Sequence, residues 1–491
     1  RTNGEACCAS PYLMTEILRE KWGFDGYFVS DCGAIKDIYE GHGLAQTAEE
    51  ASAMAIKAGM NLNCGSSFES LNDAMKNGLL TEKDIDKAVA QLYKTRFRLG
   101  FFDPEENNPY SKIGPEVVGS EEHVNLALKA AQNSMVLVKN KNNVLPLKKD
   151  LRTLFVTGPQ AANAEALLGN YYGLSGNTVN FLDGIVNKVS VGTSVNYNLG
   201  QMPYQNNANP IDWTTDKAAN AEACIAVMGF TGIMEGEEGG AIASPEKGDL
   251  VDARLPQAKI EFLKTIRSKG NNPLVVVITG GFPVIIPEVM ELADAVIYAF
   301  YPGEQGGAAL ADIIFGDVSP SGRMPFTVPK TIDDLPAYED YAMDGRTYRY
   351  MTKDPLIPFG FGLSYSSVKY EAVGFETSGN MIELNVKVSN EGKYNIEEVA
   401  QVYIASPMAG KGQPFYSLKD FDRISLHSGE SKELKFRLDK EKFELVDEEG
   451  LKFIPEGGFS IYIGGSVPSD RSLELGASNP INIRVFPNEI N

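Results

Sequence analysis

Nearly continuous apolar runs punctuate the middle of the chain, at residues 135–139, 154–157, 223–228, 274–279 and 295–300. Strands covered by helices on both faces read this way, without polar alternation. Helical patterns at 256–268 and 307–315 separate several of them, so the region from about 120 to 330 is predicted to be a doubly wound α/β domain. Toward the C-terminus the period becomes two. Ile382, Leu384, Val386 and Val388 alternate with polar residues, and 399–405, 433–438 and 459–463 are similar short runs between turn residues. That pattern predicts a small antiparallel β-sandwich of immunoglobulin or fibronectin III type.

The first hundred residues read differently. A helical pattern at 11–22 (Leu13, Ile17, Leu18, Trp22) leads into a short strand at 27–30, and a helix at 48–58 leads into a second strand at 60–63. Helices follow at 71–79 and 82–99. Ala51, Met54, Ala55 and Ala58 recur at helical spacing and suit close packing on a sheet. Two strands cannot close a barrel. If both belong to one, their carboxyl ends share a face, which places Asp31 beside the polar strand end Asn61, Asn63, Cys64 and Gly65. Residues 101–120, rich in Pro, Asn, Asp and Glu, read as a linker, with a capped helix starting at Ser120-Glu121-Glu122-His123. Residues 319–367, rich in Pro, Gly and aromatics, read as an extended connector pinned by anchors such as Tyr338, Tyr341, Tyr348 and Tyr350.

Charge and cysteine usage narrow the chemistry. The 491 residues are 43% hydrophobic and carry a net charge of −20, which argues against nucleic-acid and anionic-membrane partners. No apolar run reaches the ~18 to 20 residues of a membrane span. Five cysteines without a CxxC pair predict neither a metal site nor a disulfide framework, and Cys224, inside an apolar run, reads as a small buried hydrophobe. His42, His123 and His427 are too scattered to suggest a histidine triad or a zinc site.

Two strand ends carry candidate carboxylates. Asp31 follows the strand at 27–30, where parallel α/β folds collect catalytic residues, although an Asp there also caps helices. The loop 229–240 after the strand at 223–228 is glycine-rich and holds Glu235, Glu237 and Glu238. Its carboxylates would repel a phosphate, so it is either a functional acidic loop or solvated surface. The turn 301–307 reads as a packing element.

Four stretches together resemble glycoside hydrolase family 3: LREKWGFDGYFVSDCGAI at 18–35, AGMNLNC at 58–64, SPSGRMPFTVP at 319–329 and PFGFGLSY at 358–365. The similarity runs end to end and in order. It implies the C-terminal part of a (β/α)8 barrel over 1–106, a linker over 107–119, an α/β sandwich over 120–330, a connector over 331–367 and a fibronectin III-like domain over 368–491. By the same resemblance Asp31 is the nucleophile and a glutamate of the second domain is the acid/base, with the active site in the cleft between the domains. The family's usual Asp-Arg after that glutamate is here Asp249-Leu250, behind an inserted 241–248. Counting from Gly229 favours Glu237, with Glu238 and Glu235 as alternatives. Cys32 stands where β-xyloside-active members often have Cys and β-glucoside-active ones Trp, so it is a candidate substrate-binding residue for a pentose; the alternative is a small core residue without selectivity.

The implied activity is a retaining exo-acting β-xylosidase acting on xylo-oligosaccharides or xylosides. A β-glucosidase or α-L-arabinofuranosidase of the same family is an alternative, as is a noncatalytic carbohydrate-binding scaffold, since a whole barrel takes about 250 residues and this chain matches only the last two strands. The expected partner is an oligosaccharide or glycoside, with no cofactor, metal, nucleic acid or membrane. A homodimer is admissible, and a plant-polysaccharide substrate suggests a periplasmic or secreted protein.

Overall fold

The computed structural model describes residues 1–169, 172–203, 213–236 and 252–487. The chain divides into two compact units, 1–117 and 118–491, at a boundary inside the expected linker.

In the first unit, helices Ala34–Glu40, Ala48–Ala58, Leu71–Lys76 and Glu82–Arg98 follow a wide-wound helix, Tyr12–Lys21, in which Trp22 N–H donates to Ile17 O. Helix Ala48–Ala58 starts where the Thr47 side chain accepts from Glu50 N–H and stops at Gly59, whose φ of +114° a side chain would resist. Ala51, Ala55 and Ala58 pack with Met14, Ile35, Ile38 and Met60 in the core, as small residues at helical spacing should. Met54 and Trp22, expected on apolar faces, are exposed instead.

The two expected strands are not a ladder. They meet in one parallel bridge, Val29 to Leu62, with Ser30 N–H donating to Leu62 O at 2.9 Å and Asn61 N–H to Phe28 O at 3.0 Å. Among the described residues each segment pairs along one edge only, and Tyr27, Val29 and Leu62 are 38%, 46% and 41% exposed. In a closed barrel such residues are covered.

The second unit is built on a six-stranded sheet. Its strands are β1 (Val136–Asn140), β2 (Thr153–Thr157), β3 (Ser194–Asn198), β4 (Ala223–Gly229), β5 (Leu274–Thr279) and β6 (Ala295–Phe300), in the order β1-β6-β5-β4-β2-β3. β2 to β6 run parallel, whereas β1 pairs antiparallel with β6, so the sheet of the expected doubly wound α/β domain is mixed at one edge. Alternate residues of the apolar runs serve opposite faces: Cys224, Ala226, Met228, Val276 and Ile278 belong to one core, Ile225, Val227, Val275 and Val277 to the other. Helices Phe181–Lys188 and Gly306–Ile314 pack so closely that a Cβ on Gly184 would lie 2.0 Å from Gly307 O. β3 was not expected, because its Ser-Val-Asn-Tyr-Asn composition is that of a half-exposed edge.

The β-sandwich has the expected two sheets. One contains Ser417–Leu426, Ile396–Ala405, Phe459–Gly464 and Ile481–Val485, the other Ser431–Asp439, Met381–Asn390 and Val368–Ser378. A buried ion pair, Arg323 to Glu398 at 2.8 Å, links it to the connector, and Tyr370 O–H donates to the same carboxylate. Arg323 also donates to Gly465 O, Ser321 O and Gly322 O, bonds that offset part of the cost of taking its charge out of water. Within the connector Tyr348 stacks on Phe359, but Tyr338 and Tyr341 are 86% and 89% exposed and do not act as anchors among the described residues.

Candidate active site

Asp31 ends the extended segment 27–30. Its carboxylate is exposed, and Oδ1 accepts from Cys32 N–H at 2.8 Å. Its carbonyl receives Ala34 N–H, so the chain turns at once through Gly33, at φ +82°, into helix Ala34–Glu40. The segment is held from behind: Arg19 donates to Gly26 O and to Asn61 Oδ1, and that oxygen also accepts from Phe28 N–H at 2.8 Å. At the strand end Ser30 Oγ donates to Asn63 Oδ1 at 3.2 Å and accepts from Cys64 N–H at 3.0 Å. Asp25, gripped by Lys94 and Arg98 of helix Glu82–Arg98, has its carboxyl held well below the usual range by those cations.

Contrary to the sequence reading, one disulfide is present. Cys32 and Cys64 are bridged, their Cα atoms 4.4 Å apart, because the pairing of Val29 with Leu62 sets the two strand ends level. Closing a loop over a separation of 32 residues is worth about 3 to 4 kcal/mol in the chain-entropy account. The bridge fixes the residue after Asp31, so Cys32 is not a free thiol. Cys224 is fully buried as expected, and burial pushes its thiol up to about 12.

The second carboxylate-bearing strand end belongs to the second unit. β4 finishes at Gly229, where a Cβ would meet Thr279 O at 2.1 Å. Beyond it the helical turn Gly232–Glu235 forms, with Glu235 N–H donating to Thr231 O. Glu235 Oε1 accepts from Gly281 N–H at 2.6 Å, at the end of β5. Glu237 and Glu238 lie outside the described residues, as do Asp249 and Leu250. Asp31 and Glu235 thus sit in different units.

Sequence reading missed the group beneath this loop. Lys259, 1% exposed, donates to Gly229 O at 2.5 Å and lies over the Phe230 ring; Gln160 donates to the same carbonyl at 3.1 Å. Burial pushes the Lys259 amine down to about 7. Above its ordinary value of 10.5 the amine is neutral in both states. As pH falls from there to about 7, the unfolded chain takes up a proton that the folded chain does not, so stability is lost across that window and is level below it. The span corresponds to at most about 5 kcal/mol. Lys259→Met is therefore expected to stabilise the second unit more at pH 7 than at pH 10, in urea unfolding followed across that range. Parallel stability curves for the two proteins would contradict the assignment.

Residues 1–95 match the sequence profile of the glycosyl hydrolase family 3 N-terminal domain, 135–365 that of its C-terminal domain, and 398–467 a fibronectin type III-like domain. The chain belongs to glycosyl hydrolase family 3. It is a glycosidase chain of the β-xylosidase/β-glucosidase type. A xylan 1,4-β-xylosidase of Xylanibacter ruminicola is 29% identical over 96% of this chain and 72% of its own length. A periplasmic β-glucosidase of Salmonella typhimurium is 30% identical over 94% of this chain and 64% of its own. The solved structure of a family 3 exo-β-xylosidase in complex with a xylobiose aziridine probe superposes with a TM-score of 0.85 at 28% identity, covering 98% of this chain and 64% of that one. The family 3 chain thus spans about two thirds of the length of such relatives. Among its described residues no helix is long and apolar enough to cross a membrane.

Proposed function

We propose that this chain carries the catalytic carboxylates of a retaining exo-β-xylosidase that removes β-linked xylose from the non-reducing end of xylo-oligosaccharides or xylosides. The observation that supports it most is the exposed Asp31 carboxylate at a strand's carboxyl end, next to a Cys32 locked to Cys64. In the first step Asp31 attacks the anomeric carbon while Glu237 gives its proton to the departing glycosidic oxygen, leaving a xylosyl ester on Asp31. In the second, Glu237 takes a proton from water, whose oxygen attacks the same carbon and frees Asp31. Retention by this route needs the two carboxyl groups about 5 to 5.5 Å apart. Neither step calls for a cofactor. By analogy with the periplasmic relative, the protein is exported.

Cys32, locked to Cys64, is read as shaping the sugar subsite for a pentose, because β-xyloside-active members of the family often carry Cys at this place and β-glucoside-active members Trp. Cys32→Trp is expected to lower the xyloside-to-glucoside ratio of kcat/KM about tenfold, the worth of roughly one misfit methylene-sized group. Cys64→Ser, which opens the bridge without adding bulk, separates the two effects. An unchanged ratio in Cys32→Trp removes Cys32 from the specificity argument. The similarity to a β-glucosidase makes glucosides the second reading. Turnover of nitrophenyl β-D-xyloside and β-D-glucoside side by side decides between them.

A further inference from the structure

The acidic loop offers three glutamates within four residues, Glu235, Glu237 and Glu238, and the structure gives one of them a task of its own. Glu235 ends a single helical turn, Gly232–Glu235, and is followed by Gly236 at φ +73°, where the backbone changes direction. Its carboxylate points back onto the sheet. Oε1 accepts from Gly281 N–H at 2.6 Å, across 46 residues of sequence. The pocket that receives it is made of backbone: Gly280 has φ +139°, and a Cβ on Gly281 would lie 3.2 Å from Tyr301 and 3.5 Å from either oxygen of Glu235. The Tyr301 phenol is held above its usual pKa range, by burial first and by the neighbouring Glu235 second. Hydrogen bonds from a backbone N–H to an ionised carboxylate are among the stronger ones available.

We propose that Glu235 is a positioning residue: its carboxylate fastens the root of the acidic loop to the carboxyl end of β5, so that the acid/base two residues on starts from a fixed point. The inference rests on the reading of Glu237 as that acid/base. A general acid must meet the leaving oxygen within hydrogen-bond reach, and an error of about 1 Å costs on the order of 10²-fold. One oxygen of Glu235, Oε1, is engaged by Gly281 N–H. Losing the tether therefore weakens proton donation and leaves nucleophilic attack by Asp31 untouched.

The test compares kcat/KM, which reports the first step, for two substrates in whichever form of the enzyme turns over. Xylobiose needs a proton on its leaving oxygen; 2,4-dinitrophenyl β-D-xyloside does not. Glu235→Ala and Glu235→Asp, whose carboxylate is one methylene too short to reach Gly281, are expected to lose about 10- to 100-fold on xylobiose and less than about threefold on the dinitrophenyl substrate. Glu235→Gln keeps an oxygen for Gly281 N–H and is expected to recover most of the loss. Should the Ala variant fail to fold, the Asp and Gln pair carries the comparison. Three results overturn the proposal: Gln as impaired as Ala on xylobiose with azide accelerating dinitrophenyl xyloside turnover, which makes Glu235 the acid/base; equal losses on both substrates; or no loss in any variant. A Glu237→Gln enzyme fully active on xylobiose, or a silent unmodified enzyme, refutes the proposed function instead.

Discussion

Asp31→Asn is expected to lower kcat/KM for an aryl β-D-xyloside by about 10⁴-fold or more, with the protein still folded. Asn has the same size, and its side-chain oxygen can still accept from Cys32 N–H, the one side-chain contact described for Asp31. At an exposed position the change should move stability by no more than about 0.5 kcal/mol. What is lost is the charge that attacks the anomeric carbon, and deleting a nucleophile removes nearly all the rate that its partner groups help to produce. Kinetics on the two proteins with matched thermal melts check this; a variant within tenfold of the parent would mean that another group attacks.

The second large effect concerns the barrel. The first unit holds two extended segments joined by one bridge, and Tyr27, Val29 and Leu62 present apolar surface to solvent. A (β/α)8 barrel buries such residues among neighbouring strands and builds its sugar site from loops of several of them. Fused ahead of Arg1 to the part of the Xylanibacter relative that this chain does not match, the chain is expected to gain at least about 10²-fold in xyloside turnover, because a sugar held from one side only is poorly oriented. It should also melt at a higher temperature as those apolar faces are covered. Assays of the chain with and without the added part decide it. Equal activity in the two would show that the two extended segments suffice.

How much of this was legible in the sequence follows from what each element buries. β4, β5 and β6 could be read directly because strands buried on both faces need unbroken apolar runs. β3 and the strand Ser417–Leu426 could not, since both lie at sheet edges with polar or charged residues and look like loops. Cys32 and Cys64 were both visible, but their bridge depends on the register of Val29 with Leu62, which is a tertiary fact. Lys259 passed unremarked within the helical pattern at 256–268, yet it falls at i, i+4 and i+7 with the buried Leu263 and Ile266, a spacing that pointed inward. Glu235 stood with Glu238 as an alternative to Glu237 for the acid/base, and nothing in the sequence marked it for another task. Only the return of the chain at Gly281 separates it from them.

The most direct test of the central claim is to incubate the enzyme with 2,4-dinitrophenyl 2-deoxy-2-fluoro-β-D-xyloside, whose fluorine slows hydrolysis of the covalent intermediate, and to map the labelled peptide by mass spectrometry. The account predicts one fluoroxylosyl group per chain, attached to Asp31 and absent from Asp31→Asn. A label on any other carboxylate, or stoichiometric labelling that survives the substitution, would contradict it.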